Sequence, residues 1–197
     1  MGYYIRVLGK NPAPIPLETL RSIAEPALLE GEDKGTDWNE LVLSHKSGTE
    51  IAIIEKNLVI DGELGAEELE EFVEEISDYK PDSAARWLKS YLPTVKVIYA
   101  FQILEGTEEE DGWTLLHKIF GEIKRLAGGI TQADGEGFSN EEGYTILWQF
   151  SEQVTGSWNV GVLDQNDSWV HFEIDLGDLS HREAFWRGEV PAGVKLA

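Results

Sequence analysis

Apolar residues recur at helical spacing in several stretches of the chain. The clearest stretch covers residues 66–79, where apolar side chains at positions i, i+3, i+4 and i+7 form one stripe and glutamates cover the remaining surface. Three other stretches are bounded by Pro or Gly residues, which end helices. We therefore predict helices over residues 66–79, 83–91 and 113–127, with Asp111 as the N-cap of the last one. We also predict a short helix between Pro16 and Pro26, with Leu17, Leu20, Ile23 and Ala24 on one face.

Other apolar runs have the pattern of β-strands. Residues 41–45 and 51–55 flank the turn-forming pair Ser47-Gly48, which predicts an antiparallel hairpin. Residues 95–104 are apolar at nearly every position, so we expect a strand that is covered on both faces and lies in the middle of a sheet. The remaining predicted strands cover residues 3–8, 130–133, 144–150, 158–163 and 169–176.

Together these elements predict an α+β fold, with a mixed, mainly antiparallel sheet and three to four helices packed on it. Because 42% of the residues are hydrophobic, the chain has enough apolar material for a packed core. A single compact domain over residues 1–197 fits the pattern. A pair of similar α+β lobes over residues 1–93 and 94–197 also fits it, since each half has an apolar strand, a helix and paired strands.

Polar and glycine-rich segments predict the irregular parts of the chain. Residues 30–37 and 134–143 are expected to be loops, because they are dominated by acidic residues and Gly. From Gly177 onward, Gly and Pro residues interrupt any regular pattern. We therefore predict an irregular C-terminal tail that packs on the surface through Phe185 and Trp186.

The chain is strongly acidic, which restricts its partners. Its 197 residues include 37 Asp and Glu against 16 Lys and Arg, for a net charge of −21. Nucleic acids and anionic membranes attract clusters of Lys and Arg, so we expect neither as a partner. A basic protein surface is the partner that this charge favours. The alternative is that the charge serves only to keep the protein in solution.

Cysteine usage and the N-terminal residues bear on location. The sequence contains no Cys, which excludes thiol catalysis, disulfides and zinc–thiolate sites and is compatible with a reducing compartment. Residues 1–10 lack the basic start and apolar stretch of a signal peptide. We therefore expect a cytoplasmic protein.

The fingerprints of common enzyme families are absent from the sequence. It contains no phosphate-binding loop, no dinucleotide-binding glycine motif and no H-E-x-x-H motif. The segment from Gly137 to Glu141 approaches the nucleophile-elbow pattern G-x-S-x-G but lacks the last glycine. These features favour a protein that is not an enzyme and that uses no cofactor.

One group of candidate catalytic residues lies on the last predicted strand. His171, Glu173 and Asp175 occupy positions i, i+2 and i+4, so their side chains project from the same face of the strand. An imidazole and two carboxylates on one face are suited to metal binding or acid–base chemistry. The alternative is that they form the solvated face of an antiparallel strand.

The predicted loop over residues 134–143 carries candidate metal ligands. Hard cations prefer oxygen ligands on flexible segments, and four carboxylates lie here within ten residues. The spacing does not match the EF-hand pattern, because Phe138 and Ser139 occupy positions that require an oxygen ligand and a glycine. A solvated hairpin connection is the alternative. The candidate ligands are Asp134, Glu136, Glu141 and Glu142.

The predicted helix over residues 66–79 is the candidate docking surface for a basic partner. Many like charges on one rigid element steer the association of oppositely charged proteins. An ordinary solvated helix face is the alternative. The candidate binding residues on this helix are Glu67, Glu70, Glu71 and Glu74.

The chain is rich in tryptophan, with seven Trp residues. Trp169 shares the polar face of its predicted strand with His171, so we expect it to be an exposed interface anchor unless the tail covers it. Trp87 and Trp113 lie on apolar helical stripes and are predicted to be buried.

These observations lead to three hypotheses about function. The first is a non-enzymatic acidic binding protein, of the inhibitor or immunity type, that engages a basic protein partner. The second is a metal-dependent enzyme that uses carboxylates of residues 134–142 together with His171, Glu173 and Asp175. The third is a small-molecule binding module, in which the aromatic residues surround an apolar cavity.

Overall fold

The computed structural model describes residues 2–32 and 37–197. The protein has an α+β fold whose strands pair in a mixed but mostly antiparallel arrangement, as predicted. No helix in these two ranges is both long and apolar enough to cross a membrane. In chain order the elements are β1 (Tyr3–Gly9), α1 (Leu17–Ala24), β2 (Leu28–Gly31), β3 (Glu40–Ser44), β4 (Glu50–Leu58), α2 (Leu64–Glu75), α3 (Asp82–Tyr91), β5 (Val97–Ile103), α4 (Gly112–Ala127), β6 (Gly129–Ala133), β7 (Gly137–Ser139), β8 (Thr145–Trp148), β9 (Ser157–Leu163), β10 (Trp169–Asp175) and α5 (Leu179–Trp186).

The chain forms two compact units, and each unit is built from two separate segments. The first unit contains residues 1–67 and 95–129, and the second contains residues 68–94 and 130–197. One change of unit falls beside Pro93, where the sequence suggested a lobe boundary. The other two changes, within α2 and at the start of β6, were not anticipated.

In the described residues of the first unit, five strands pair in the order β1-β5-β4-β3-β2, and each neighbouring pair is antiparallel. β5 lies between β1 and β4 and is buried over most of its length, which confirms the prediction of a central strand. Helices α1 and α4 pack on the same apolar core. Its largest fully buried side chains are Trp38, Tyr99 and Phe101.

The second unit contains α3, α5 and the strand order β10-β9-β8-β7-β6. The pairing of β8 with β9 is parallel, and the other pairs are antiparallel. Alternate residues in and directly after β10 enter the core, because Phe172, Ile174 and Leu176 are buried. Helix α3 contacts β8 and β9, and α5 contacts β10.

Two predicted loops contain short strands. β2 begins before the predicted loop over residues 30–37 and enters it, while β7 lies inside the predicted loop over residues 134–143. Residues 33–36 of the first loop lie outside the described residues. Both strands are three or four residues long, which is too short for an alternating pattern to be evident.

The prediction of an irregular tail was wrong, because residues 179–186 form α5. Asp178 caps this helix, since its side chain accepts hydrogen bonds from the backbone N–H groups of Ser180 and His181. Phe185 is fully buried rather than packed on the surface. Asp111 occupies the N-cap position of α4, as predicted, but its φ is 66° and its side chain makes no capping hydrogen bond.

Candidate functional site

His171 contacts the loop between β7 and β8, a segment rich in acidic residues and glycine. Its ring stacks on Tyr144, with ring centroids 3.8 Å apart and an angle of 9° between the planes. On the neighbouring strand β9, the residue opposite His171 is Gly161. A Cβ atom at position 161 would lie 3.0 Å from His171 Cδ2, so the glycine provides room for the imidazole.

A buried amide fixes the orientation of this imidazole. The backbone N–H of Tyr144 donates to Asn140 Oδ1 at 3.0 Å, so the Asn140 amide must present its NH₂ group on the other side. That group donates to His171 Nε2 at 2.9 Å. Nε2 is therefore the acceptor nitrogen of the neutral ring and Nδ1 carries the proton. Glu142 Oε2 lies 3.5 Å from Nδ1, which pairs a carboxylate with the protonated nitrogen.

The structure separates the other candidate catalytic residues from this contact. Glu173 and Asp175 are exposed, and the Asp175 carboxylate accepts a hydrogen bond from the Gly177 backbone N–H at 2.8 Å. His171 thus contacts the β7–β8 loop, while Glu173 and Asp175 on the same strand face solvent. The imidazole site, which we define as Asn140, Glu142, Tyr144 and His171, contains a single carboxylate.

The four candidate metal ligands lie on both sides of β7. Asp134 and Glu136 are in the turn before β7, and Glu141 and Glu142 are in the connection to β8. Tyr91 donates a hydrogen bond to Glu141 Oε1 at 3.2 Å, and burial, together with the Glu141 charge, raises the pKa of the Tyr91 hydroxyl. Within residues 2–32 and 37–197, no three His, Asp or Glu side chains are arranged to hold a metal ion.

The predicted tryptophan anchor is half-buried against α3. Trp169 packs edge-to-face on Trp87, with ring centroids 5.2 Å apart, and Trp87 stacks on Tyr91 at 4.8 Å. Helix α3 therefore covers part of the Trp169 side chain. Trp87 itself is half-buried, and Trp113 is 43% exposed, so the prediction that Trp113 is buried was wrong.

Helix α2 presents a continuous row of carboxylates. The predicted binding residues occupy positions i, i+3, i+4 and i+7, which places them on one side of the helix, and all of them are exposed. Among the described residues, none of these side chains forms an ion pair. We call this row the acidic face: Glu67, Glu70, Glu71 and Glu74.

A second acidic surface was not anticipated from the sequence. It is a groove of about 620 Å³ on the outer side of β2, β3 and β4 in the first unit. Leu28 and Val42 contribute apolar surface, and three strand glutamates contribute charge. These glutamates are Glu30 on β2, Glu40 on β3 and Glu50 on β4.

The sequence contained a partial signal for this groove. In β3, buried Leu41 and Leu43 alternate with the outward-facing side chains of Glu40, Val42 and Ser44, which indicates a strand with one solvated face. Which strands flank that face depends on pairing between segments, and the pattern within a single strand does not specify this pairing.

The chemistry available at these surfaces follows from their side chains. The acidic face and the groove attract cations, and the groove also offers apolar contact. The imidazole site offers one imidazole whose protonated nitrogen faces a carboxylate. No protein-family model, curated protein or solved structure matches this chain.

Proposed function

We propose that the protein is a cytoplasmic, non-enzymatic acidic binding protein that engages a basic protein surface, as inhibitors and immunity-type proteins do. The observation that supports this proposal most strongly is the acidic face of α2. Its four carboxylates share one side of a rigid helix, are exposed, and have no ion-pair partner among the described residues.

Electrostatics explains why such a face favours a basic partner. Like charges three or four residues apart on a helix destabilise it by about 0.2–0.5 kcal/mol per pair. A cationic surface relieves this repulsion when it docks. The net charge of −21 also attracts basic proteins before contact, although screening limits this attraction to about 8 Å at physiological ionic strength. The acidic face should therefore increase the rate of association more than it slows dissociation.

Affinity capture from the native host with matched variants tests this proposal. One variant, E67Q/E70Q/E71Q/E74Q, neutralises the acidic face. The control variant removes the same amount of charge from exposed glutamates elsewhere, at Glu105, Glu108, Glu152 and Glu183. Capture is carried out in low salt and in high salt, and the retained proteins are identified by mass spectrometry.

We expect the wild-type protein to retain a basic protein in stoichiometric amount at low salt and to release it at high salt. The control variant should retain the same protein, and the acidic-face variant should retain much less of it. The proposal fails if the wild-type protein retains no basic protein, or if both variants behave like the wild type.

The contact between His171 and Glu142 is the observation that favours a second candidate, a metal-dependent enzyme, because it joins one candidate catalytic residue to one candidate metal ligand, with 3.5 Å between Nδ1 and Oε2. A metal ion here would have to displace the proton from Nδ1 and recruit further ligands, since the described residues contain no group of three ligands arranged for a metal. Isothermal titration with Ca²⁺ and Mg²⁺ tests this candidate. Binding heat that is abolished by Glu142→Gln would support it, and the absence of heat at millimolar metal would contradict it.

A further inference from the structure

We infer that the groove on β2, β3 and β4 binds a segment of the basic partner in which Lys or Arg alternates with apolar residues. This inference rests on the proposed function, because it specifies where the partner binds and by which chemistry. The acidic face would attract the partner, and the groove would hold it.

Strand register brings the groove residues together. Leu28 of β2 pairs with Ser44 of β3, and Ser44 pairs with Glu50 of β4. In the same way, Glu30 of β2 pairs with Val42 of β3. Apolar and acidic side chains from three strands therefore lie next to one another on the same side of the sheet.

The side chains of the groove determine which occupant fits. Leu28 is 44% exposed, so apolar surface remains available for contact. Glu30, Glu40 and Glu50 are exposed, and among the described residues they form no ion pair. A segment with alternating cationic and apolar side chains would satisfy both features, because Lys and Arg stems also pack on apolar surface while their charged ends reach carboxylates.

The edge of β2 favours docking across the sheet face rather than addition of another strand. Arg21 Nε donates to the backbone carbonyl of Leu29 at 3.2 Å, and Glu18 holds the same guanidinium at 2.6 Å. This occupies a backbone group that an added strand would need. The partner segment should therefore contact the groove through its side chains.

The test uses two synthetic peptides and the full-length protein. One blocked heptapeptide alternates Lys with Leu, and the other alternates Lys with Ser, so the two have the same charge. The groove variant is E30Q/E40Q/E50Q, and the charge-matched control is E108Q/E152Q/E183Q. Circular dichroism verifies that each variant is folded, and NMR shift mapping of the wild-type protein locates each peptide.

We expect the Lys/Leu peptide to shift the resonances of β2 and β3 and to bind about tenfold more tightly than the Lys/Ser peptide. The groove variant should weaken binding of the Lys/Leu peptide by about tenfold, mainly by faster dissociation, and the control should change it by less than about threefold. Leu28→Ser should remove most of the preference for Leu over Ser. Because this substitution removes no charge, it separates apolar contact from electrostatics.

Two results would overturn this inference while leaving the proposed function intact. The first is that the peptide shifts α2 and not β2 or β3. The second is that the groove variant binds the captured basic protein and the Lys/Leu peptide as tightly as the control does. If the wild-type protein retains no basic protein and binds neither peptide at low salt, the proposed function fails as well.

Discussion

Arg182 should contribute more to stability than its charge suggests, because its buried side chain ties three segments together. Its guanidinium donates to the backbone carbonyls of Leu176, Glu152 and Val154, the last two at 2.7 and 2.6 Å. It also lies 5.7 Å from the centre of the Trp148 ring. These contacts join α5 to the end of β10 and to the connection between β8 and β9.

Replacing Arg182 with Met preserves much of the apolar stem and removes every donor. A hydrogen bond to a charged group contributes about 1.5–3 kcal/mol. Glu152 is exposed and Val154 is half-buried, so water can reach their carbonyls after the substitution. The loss of stability will therefore be smaller than the sum of three such hydrogen bonds. We therefore expect Arg182→Met to lower the free energy of unfolding by about 3–4 kcal/mol. Arg182→Lys should lose about half as much, since one ammonium replaces a planar guanidinium.

Urea unfolding monitored by circular dichroism measures this loss. With a slope of about 1–3 kcal/mol per molar urea, the midpoint for Arg182→Met should fall by about 1–4 M. Hydrogen exchange should also become faster in α5 and in residues 150–156. A midpoint within experimental error of the wild type, with unchanged exchange, would refute the argument that these hydrogen bonds hold the C-terminal segment.

Three further predictions concern smaller contacts. Lys56, whose side chain is 3% exposed, donates hydrogen bonds to both carboxylate oxygens of Asp37, whose side chain is 39% exposed. Asp37→Asn should therefore lower the free energy of unfolding by about 2 kcal/mol, because it leaves the buried ammonium unpaired, and Lys56→Met should lower it by about 1 kcal/mol. Equal losses in urea unfolding would contradict this prediction. Asn140→Ala removes two hydrogen bonds and should cost about 2 kcal/mol, with NMR shift changes centred on the β7–β8 hairpin; changes spread over the whole chain would be inconsistent with a local role. Hydrogen bonds hold the pKa of Asp178 below its usual value, with the largest effect from the Ser180 hydroxyl and smaller ones from backbone N–H groups. The contribution of the ionised Asp178 to the stability of the fold is therefore complete above about pH 4 and is lost as the pH falls further. An acid titration followed by circular dichroism should therefore show less loss of stability for Asp178→Asn than for the wild type, and identical curves would contradict the prediction.

Long periodic segments allowed much of the fold to be predicted. The helices over residues 83–91 and 113–127 match α3 and α4 within one residue at each end. The hairpin around Ser47-Gly48 is present as β3 and β4. In each case the local pattern agrees with the tertiary packing, because most of the apolar positions of the element are buried.

Elements stabilised by polar groups were harder to predict. In α5 the buried positions include Arg182, whose charge obscures the apolar stripe that would have indicated a helix. The Gly and Pro residues from Gly177 onward also indicated an irregular segment, although Asp178 belongs to a residue type that often caps helices. The exposure of Trp113 was also missed. This residue lies in the first turn of α4, where a position on the apolar stripe does not ensure burial.

The two acidic surfaces differ in how far the sequence could indicate them. The acidic face of α2 can be read from the local sequence, because helical spacing alone places its four glutamates on one side of the helix. The groove combines Glu30, Glu40 and Glu50, which only the pairing of β2, β3 and β4 brings together. The contact of His171 with Asn140 likewise joins residues that are 31 positions apart.

The dependence of the association rate on ionic strength tests the central claim most directly. The basic protein captured from the host is mixed with the wild-type protein and with E67Q/E70Q/E71Q/E74Q in a stopped-flow instrument at increasing salt concentration. We predict that the wild-type rate falls steeply with salt and that the variant associates more slowly and with a shallower dependence. An association rate that does not change with salt, or that is the same for both proteins, would contradict the account.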